Sequence, residues 1–328
     1  MVDENKLSIY EANLLYLILA VLFIFLGGLT QSINLFFGIV VTEVLILVVP
    51  NIWFVKRKGL SLKRTWRLNR LGLKNIVLVI LITILTYPIA VFFQAIFVAI
   101  INMISPMQPD GLPAEISKVS FLWSVLFVSI IPGICEEIVF RGTMLRVYGK
   151  LGKKKAIIMS AVLFAMFHFA LVNFVGPLVL GLVFGAMVYK TNSLYSSIVG
   201  HSLNNFIALV LNYFLMENMD TINSMEAGGV EVGAGNALIS FAFLALVVVM
   251  LIRIVRALLG KLTPHRDALE EEMQESVNHN SYGEGEAYSS AYVKSLPGRM
   301  ERDGVSQYLP LMIVSVMFVV FNLMFIFV

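Results

Sequence analysis

Glu136, Glu137 and Arg141 lie within six residues of one another in the stretch Gly133-Ile134-Cys135-Glu136-Glu137-Ile138-Val139-Phe140-Arg141-Gly142, which otherwise has the composition of a membrane span. A charge at the bilayer centre costs about 3 kcal/mol on insertion scales, so such groups face the bundle interior and need partners. On a helix, residues four apart share a face and adjacent ones diverge by about 100°, which pairs Glu137 with Arg141 and leaves Glu136 pointing elsewhere. A carboxylate with no cation of its own is a candidate to take a proton from water. Two more segments carry groups of the same kind. Phe164-Ala165-Met166-Phe167-His168 ends in a histidine, and His201-Ser202-Leu203-Asn204-Asn205 sets an imidazole and an amide four apart. Such a donor pair suits a developing oxyanion. The plainer reading stands beside it: an ion pair that ties helices together, and histidines hydrogen-bonded in a core.

These residues need elements that bring them together. Of the 328 residues, 59% are hydrophobic and 14% charged, against about 25% charged in a soluble domain. Mean hydropathy is +0.86. The expected fold is all-α, a polytopic transmembrane helical bundle. Its eight core spans fall near 14–29, 33–55, 73–103, 120–147, 156–171, 175–189, 194–216 and 237–254, with a ninth at 308–328. Gly176-Pro177 is the expected break between the fifth and sixth, since proline stops a helix. Basic blocks at Lys56 to Arg70, Lys150 to Lys155 and Arg253 to Arg266 then fall on one side, the cytoplasmic one. The net charge of +3 suits membrane orientation rather than nucleic-acid binding. The first residues lack the positive n-region of a cleaved signal peptide, so the first span is expected to stay.

The chain divides into N-terminal helices with a basic loop (1–118), a core (119–216), an extracytoplasmic loop and eighth span (217–262), a polar cytoplasmic segment (263–307) and a final span (308–328). Within 263–307, residues 267–273 have the pattern of a short helix, and the rest reads as solvated and partly disordered. At the helical rise, Glu136 comes out about 18 Å deep, His168 about 21 Å, His201 about 10 Å and Asn205 about 16 Å from the cytoplasmic ends. Four polar side chains on three helices thus fall in one zone around the midplane, which is most simply a buried site. Glu43, mid-span in the second helix, reads as a carboxylate paired within the bundle. Cys135 reads as a small packing residue, and a single cysteine excludes an internal disulfide.

Glu136-Glu137-x-x-x-Arg141, Phe164-x-x-x-His168 and His201-x-x-x-Asn205, in this order, resemble the three motifs of the CPBP intramembrane protease family, which includes the CAAX prenyl endopeptidases and the bacterial Abi and bacteriocin-immunity proteins. The resemblance runs from about Leu122 to Phe206. Phe140-Arg141-Gly142 supports it, as does the run Gly181-Leu182-Val183-Phe184-Gly185, whose small residues also allow close helix packing. It implies hydrolysis of a peptide bond in or beside the membrane. By that analogy Glu136 and His168 activate the water, His201 and Asn205 hold it or stabilise the oxyanion, and Glu137 with Arg141 positions the helix. The tail from Thr263 onward receives no function from it.

The resemblance implies as substrate a membrane protein or lipidated peptide, and as location a multi-pass membrane position, the cell membrane if the host is bacterial. The family is commonly named a metalloprotease family. Glu136, His168 and His201 would make a zinc set of two imidazoles and a carboxylate with an open position. Water activation by acid and base needs only the same residues, so the cofactor stays open between zinc and none. Two other classes are carried along: a non-catalytic membrane immunity or scaffold protein of the same fold, and a solute carrier. The carrier reading lacks the paired broken helices and repeats that carriers often show.

Overall fold

Lipid offers a backbone no hydrogen-bond partner, so a chain this apolar satisfies its own amides as helices. The computed structural model describes residues 7–105, 121–218, 234–265 and 304–327. The main helices among them are α1 (Ile9–Ile33), α2 (Leu35–Arg57), α3 (Leu73–Asn102) and α4 (Phe121–Leu151), then α5 (Lys153–Met166), α6 (Val175–Thr191), α7 (Tyr195–Glu217), α8 (Ala234–Gly260) and α9 (Leu309–Phe327). No strand occurs among the described residues, and eight helices, all but α5, are long and apolar enough to cross a membrane. The chain is a multi-pass helical membrane protein. The polar stretch 266–303, with its expected short helix, and residues 106–120 and 219–233 lie outside the described residues.

The fifth element departs from expectation. Instead of running to 171, α5 stops at Met166, and a short 3₁₀ turn at Leu171–Asn173 precedes α6. Gly176 and Pro177 do not make the break. They sit in the first turn of α6, where a missing N–H costs nothing because that donor has no helical acceptor. The turn is made past the end of α5, at Phe169, which adopts a left-handed φ of 48°. His168 therefore stands just beyond a helix end, not late within a span.

Buried apolar side chains form two clusters. One gathers residues of α1, α2, α4, α5 and α9 around Tyr16, Phe140, Tyr148 and Phe164. The other joins α3, α6 and α8. The expected close packing at Gly181 and Gly185 is present: a Cβ on Gly181 would lie 2.9 Å from the Ala161 Cα and 3.1 Å from an Arg141 Nη, and one on Gly185 would lie 3.3 Å from Ile157.

The crossing of α4 and α7 is tighter still. A Cβ on Gly133 would meet the Ser202 Oγ at 2.3 Å and its backbone N and Cα at 2.9 Å, while the Ser129 hydroxyl donates to the Ser202 carbonyl at 2.6 Å. This contact sets the spacing between the helices that carry Glu136 and His201. We expect Gly133→Val to push them apart, at about 1–3 kcal/mol for overpacking. Thermal unfolding in detergent would register the loss, and an unchanged melting temperature would show that the crossing has slack.

Candidate active site

The best-buried charges come first, since they need partners most. Glu137 and Arg141 are fully buried, and Arg141 Nη1 donates to Glu137 Oε1 at 2.6 Å. The pairing expected from their spacing is present, but it is not exclusive. His201 Nδ1, from α7, reaches the same Glu137 oxygen at 2.9 Å. Arg141 lies over two rings as well, 4.3 Å from the Phe164 centroid and 5.6 Å from that of Phe184. Phe184 in turn stacks on His201 at 5.7 Å. A carboxylate, a guanidinium and an imidazole from two helices thus form one hydrogen-bonded frame packed in aromatic rings. Directly after Glu137 the backbone of α4 widens to π-helical pairing over Ile138–Met144, an irregularity often found at functional sites.

Around this frame lie groups that remain accessible. Glu136 is half-buried and His168 exposed. His168 and His201 both pack edge-on against Phe164, with centroids at 5.1 Å and 5.4 Å, so one ring is shared by the two imidazoles. His201 and Arg141 are electrostatic neighbours of both Glu136 and His168. Glu136, His168 and His201 therefore occupy one neighbourhood with Arg141 and Phe164, while Asn205 follows His201 by one turn of α7.

Hydrogen bonding sets the imidazole tautomers. His168 Nδ1 lies 3.0 Å from the Phe164 carbonyl, which can only accept, so Nδ1 carries the proton and Nε2 keeps its lone pair. A carboxylate imposes the same order on neutral His201, whose Nδ1 faces Glu137. Neutral His201 then offers Nε2 as an acceptor, which suits the first of its two expected roles, holding water. The Asn205 Nδ2 reaches the Val128 carbonyl at 3.4 Å, and its Oδ1 accepts from Asn204 at 3.2 Å.

Glu43, which the sequence left without a role, is buried in α2 with its Oε2 unbonded, and its charge is felt by both Glu136 and Cys135. It is a carboxylate beside the site and not the paired group expected. Asn204 also lines a cavity of about 600 Å³ between α3, α6 and α7, together with Tyr87, Gln94, Asn173 and Leu180. That volume is in the range of ligand sites.

The imidazole tautomers suit a zinc ion, since each Nε2 is free and each Nδ1–H is anchored in the manner of metal-binding histidines. The positions do not. Among the described residues no group of three His, Cys, Asp or Glu is placed to hold an ion, so Glu136, His168 and His201 do not assemble as a ligand set and no step below is routed through a metal.

Fold and site together define a multi-pass membrane protein with a buried carboxylate–guanidinium–imidazole frame beneath an accessible carboxylate and histidine. Residues 118–207 match the family described as Type II CAAX prenyl endopeptidase Rce1-like, which supports for this segment the resemblance to the CPBP intramembrane proteases. The match spans Glu136, Glu137, Arg141, His168, His201 and Asn205. No curated protein and no solved structure matches the chain.

Proposed function

We propose that the chain is an endopeptidase that hydrolyses a peptide bond of a membrane-associated substrate with water activated by Glu136 and His168. The observation that carries this reading is the arrangement around Phe164: two imidazoles with Nδ1 occupied and Nε2 free, beside a half-buried carboxylate that the Glu137–Arg141 pair leaves over. Water held at the His201 Nε2 gives a proton to Glu136, with His168 assisting, as its oxygen attacks the substrate carbonyl. The tetrahedral oxyanion takes a hydrogen bond from Asn205 Nδ2, whose long contact to Val128 is easily given up. Collapse breaks the C–N bond, and the proton taken from water passes to the leaving amine.

The assay is cleavage of a lipid-embedded reporter peptide by purified protein in bilayers. We expect Asn205→Ala to lower kcat by about 10²–10³, as loss of one oxyanion donor does elsewhere, with His168→Ala falling by about 10²–10⁴ as loss of an acid–base group. Both variants should keep the wild-type melting temperature. Undiminished cleavage in either would overturn the role given to it, and undiminished cleavage in both would remove the proposed site.

A further inference from the structure

Asn322 is the one amide in α9, a helix otherwise built of apolar residues, Ser315 and Pro310. It is buried, and its bonds lead to the turn that carries His168. Its Nδ2 donates to the Phe169 carbonyl at 3.3 Å, and its Oδ1 accepts from the Leu171 N–H at 2.6 Å. A third bond, Nδ2 to the Phe318 carbonyl of its own helix at 2.8 Å, fixes the amide's orientation. The rings of Phe318 and Phe321 pack on Phe169 at 6.4 Å and 6.2 Å. From the opposite side Gln94 of α3 accepts from the Gly176 N–H at 2.7 Å and donates to the Val172 carbonyl. Two amides from two helices thus take up four backbone groups between Phe169 and Gly176.

That segment needs holding. His168 lies past the end of α5, and a left-handed φ of 48° at the next residue, an aromatic one, persists only where the surroundings over-determine it. We infer that α9, through Asn322, is a positioning element for His168. The helix lies outside the segment that matches the protease family. The inference rests on the catalytic role proposed for His168. A misplacement of about 1 Å in a catalytic group can cost about 10²-fold in rate, so the clamp acts on kcat and leaves substrate affinity alone.

The test is Asn322→Ser in full-length protein in bilayers. A serine hydroxyl bonds the carbonyl four residues back, as Ser315 does to Leu311 at 2.9 Å, so the helix stays satisfied while the bonds to Phe169 and Leu171 are lost. We expect kcat to fall about tenfold or more, KM and the melting temperature to hold, and Asn322→Gln to recover part of the rate. The chain has four histidines, so ¹⁵N-histidine spectra, assigned with His168→Ala, report on His168 without needing activity. In Asn322→Ser the His168 signal should move and the His201 signal should not. An unmoved His168 signal overturns the clamp, as does a rate loss accompanied by a raised KM and a lowered melting temperature. If the wild type cleaves nothing, the protease reading fails, while the spectrum still decides whether α9 positions His168.

Discussion

Glu136→Gln is expected to abolish peptide cleavage, by about 10³-fold or more, in protein that inserts and melts as the wild type does. The amide has the volume of the acid but accepts no proton from water, and general-base catalysis contributes about 10²–10⁴. The fold should not notice the change, because the buried frame is built on Glu137, Arg141 and His201, whereas Glu136 is half-buried beside it. Two measurements decide: turnover of the reporter peptide and thermal unfolding of the same preparation. Wild-type turnover would remove Glu136 from the mechanism.

The neighbouring residue should behave in the opposite way. Glu137→Gln leaves the Arg141 guanidinium fully buried without its hydrogen-bonded counter-charge, and breaking a buried pair from one side costs about 3–5 kcal/mol. The mirror change, Arg141→Met, strands the carboxylate and should cost a similar amount. The double variant should recover part of the loss, because replacing both partners by neutral groups removes the uncompensated charge. Chemical denaturation of the three variants in detergent checks this. Additive losses would show that the two groups do not act as a pair. Glu137→Gln should slow turnover in the fraction that folds as well, since an amide holds the His201 tautomer less firmly than a carboxylate.

Much of this was legible in the residues themselves. The apolar runs marked the helices, four-residue spacing paired Glu137 with Arg141, and the motifs brought out the four candidate residues. What stayed hidden depends on contacts between helices. That Glu137 also receives His201, 64 residues on, is set by how α4 and α7 are rotated against each other, which spacing along one helix does not encode. Gly176-Pro177 marks the break before α6 in the sequence, because glycine and proline are the usual signals. The chain turns instead through Phe167-His168-Phe169, which carries none, because Gln94 and Asn322 satisfy the backbone from outside. One amide in the final apolar run could have faced any neighbour, so the role of α9 could not be read from it. Glu43 was assigned a partner on general grounds, and its burial beside Glu136 follows from the packing of α2 on α4.

The most direct measurement is single-turnover cleavage of a bilayer-embedded peptide by Glu136→Gln, His168→Ala and the double variant. Groups that act as one unit show strong non-additivity. If Glu136 and His168 activate the same water, the double variant should be about as slow as the slower single one. Losses that multiply, or cleavage that survives in the double variant, would contradict a shared site.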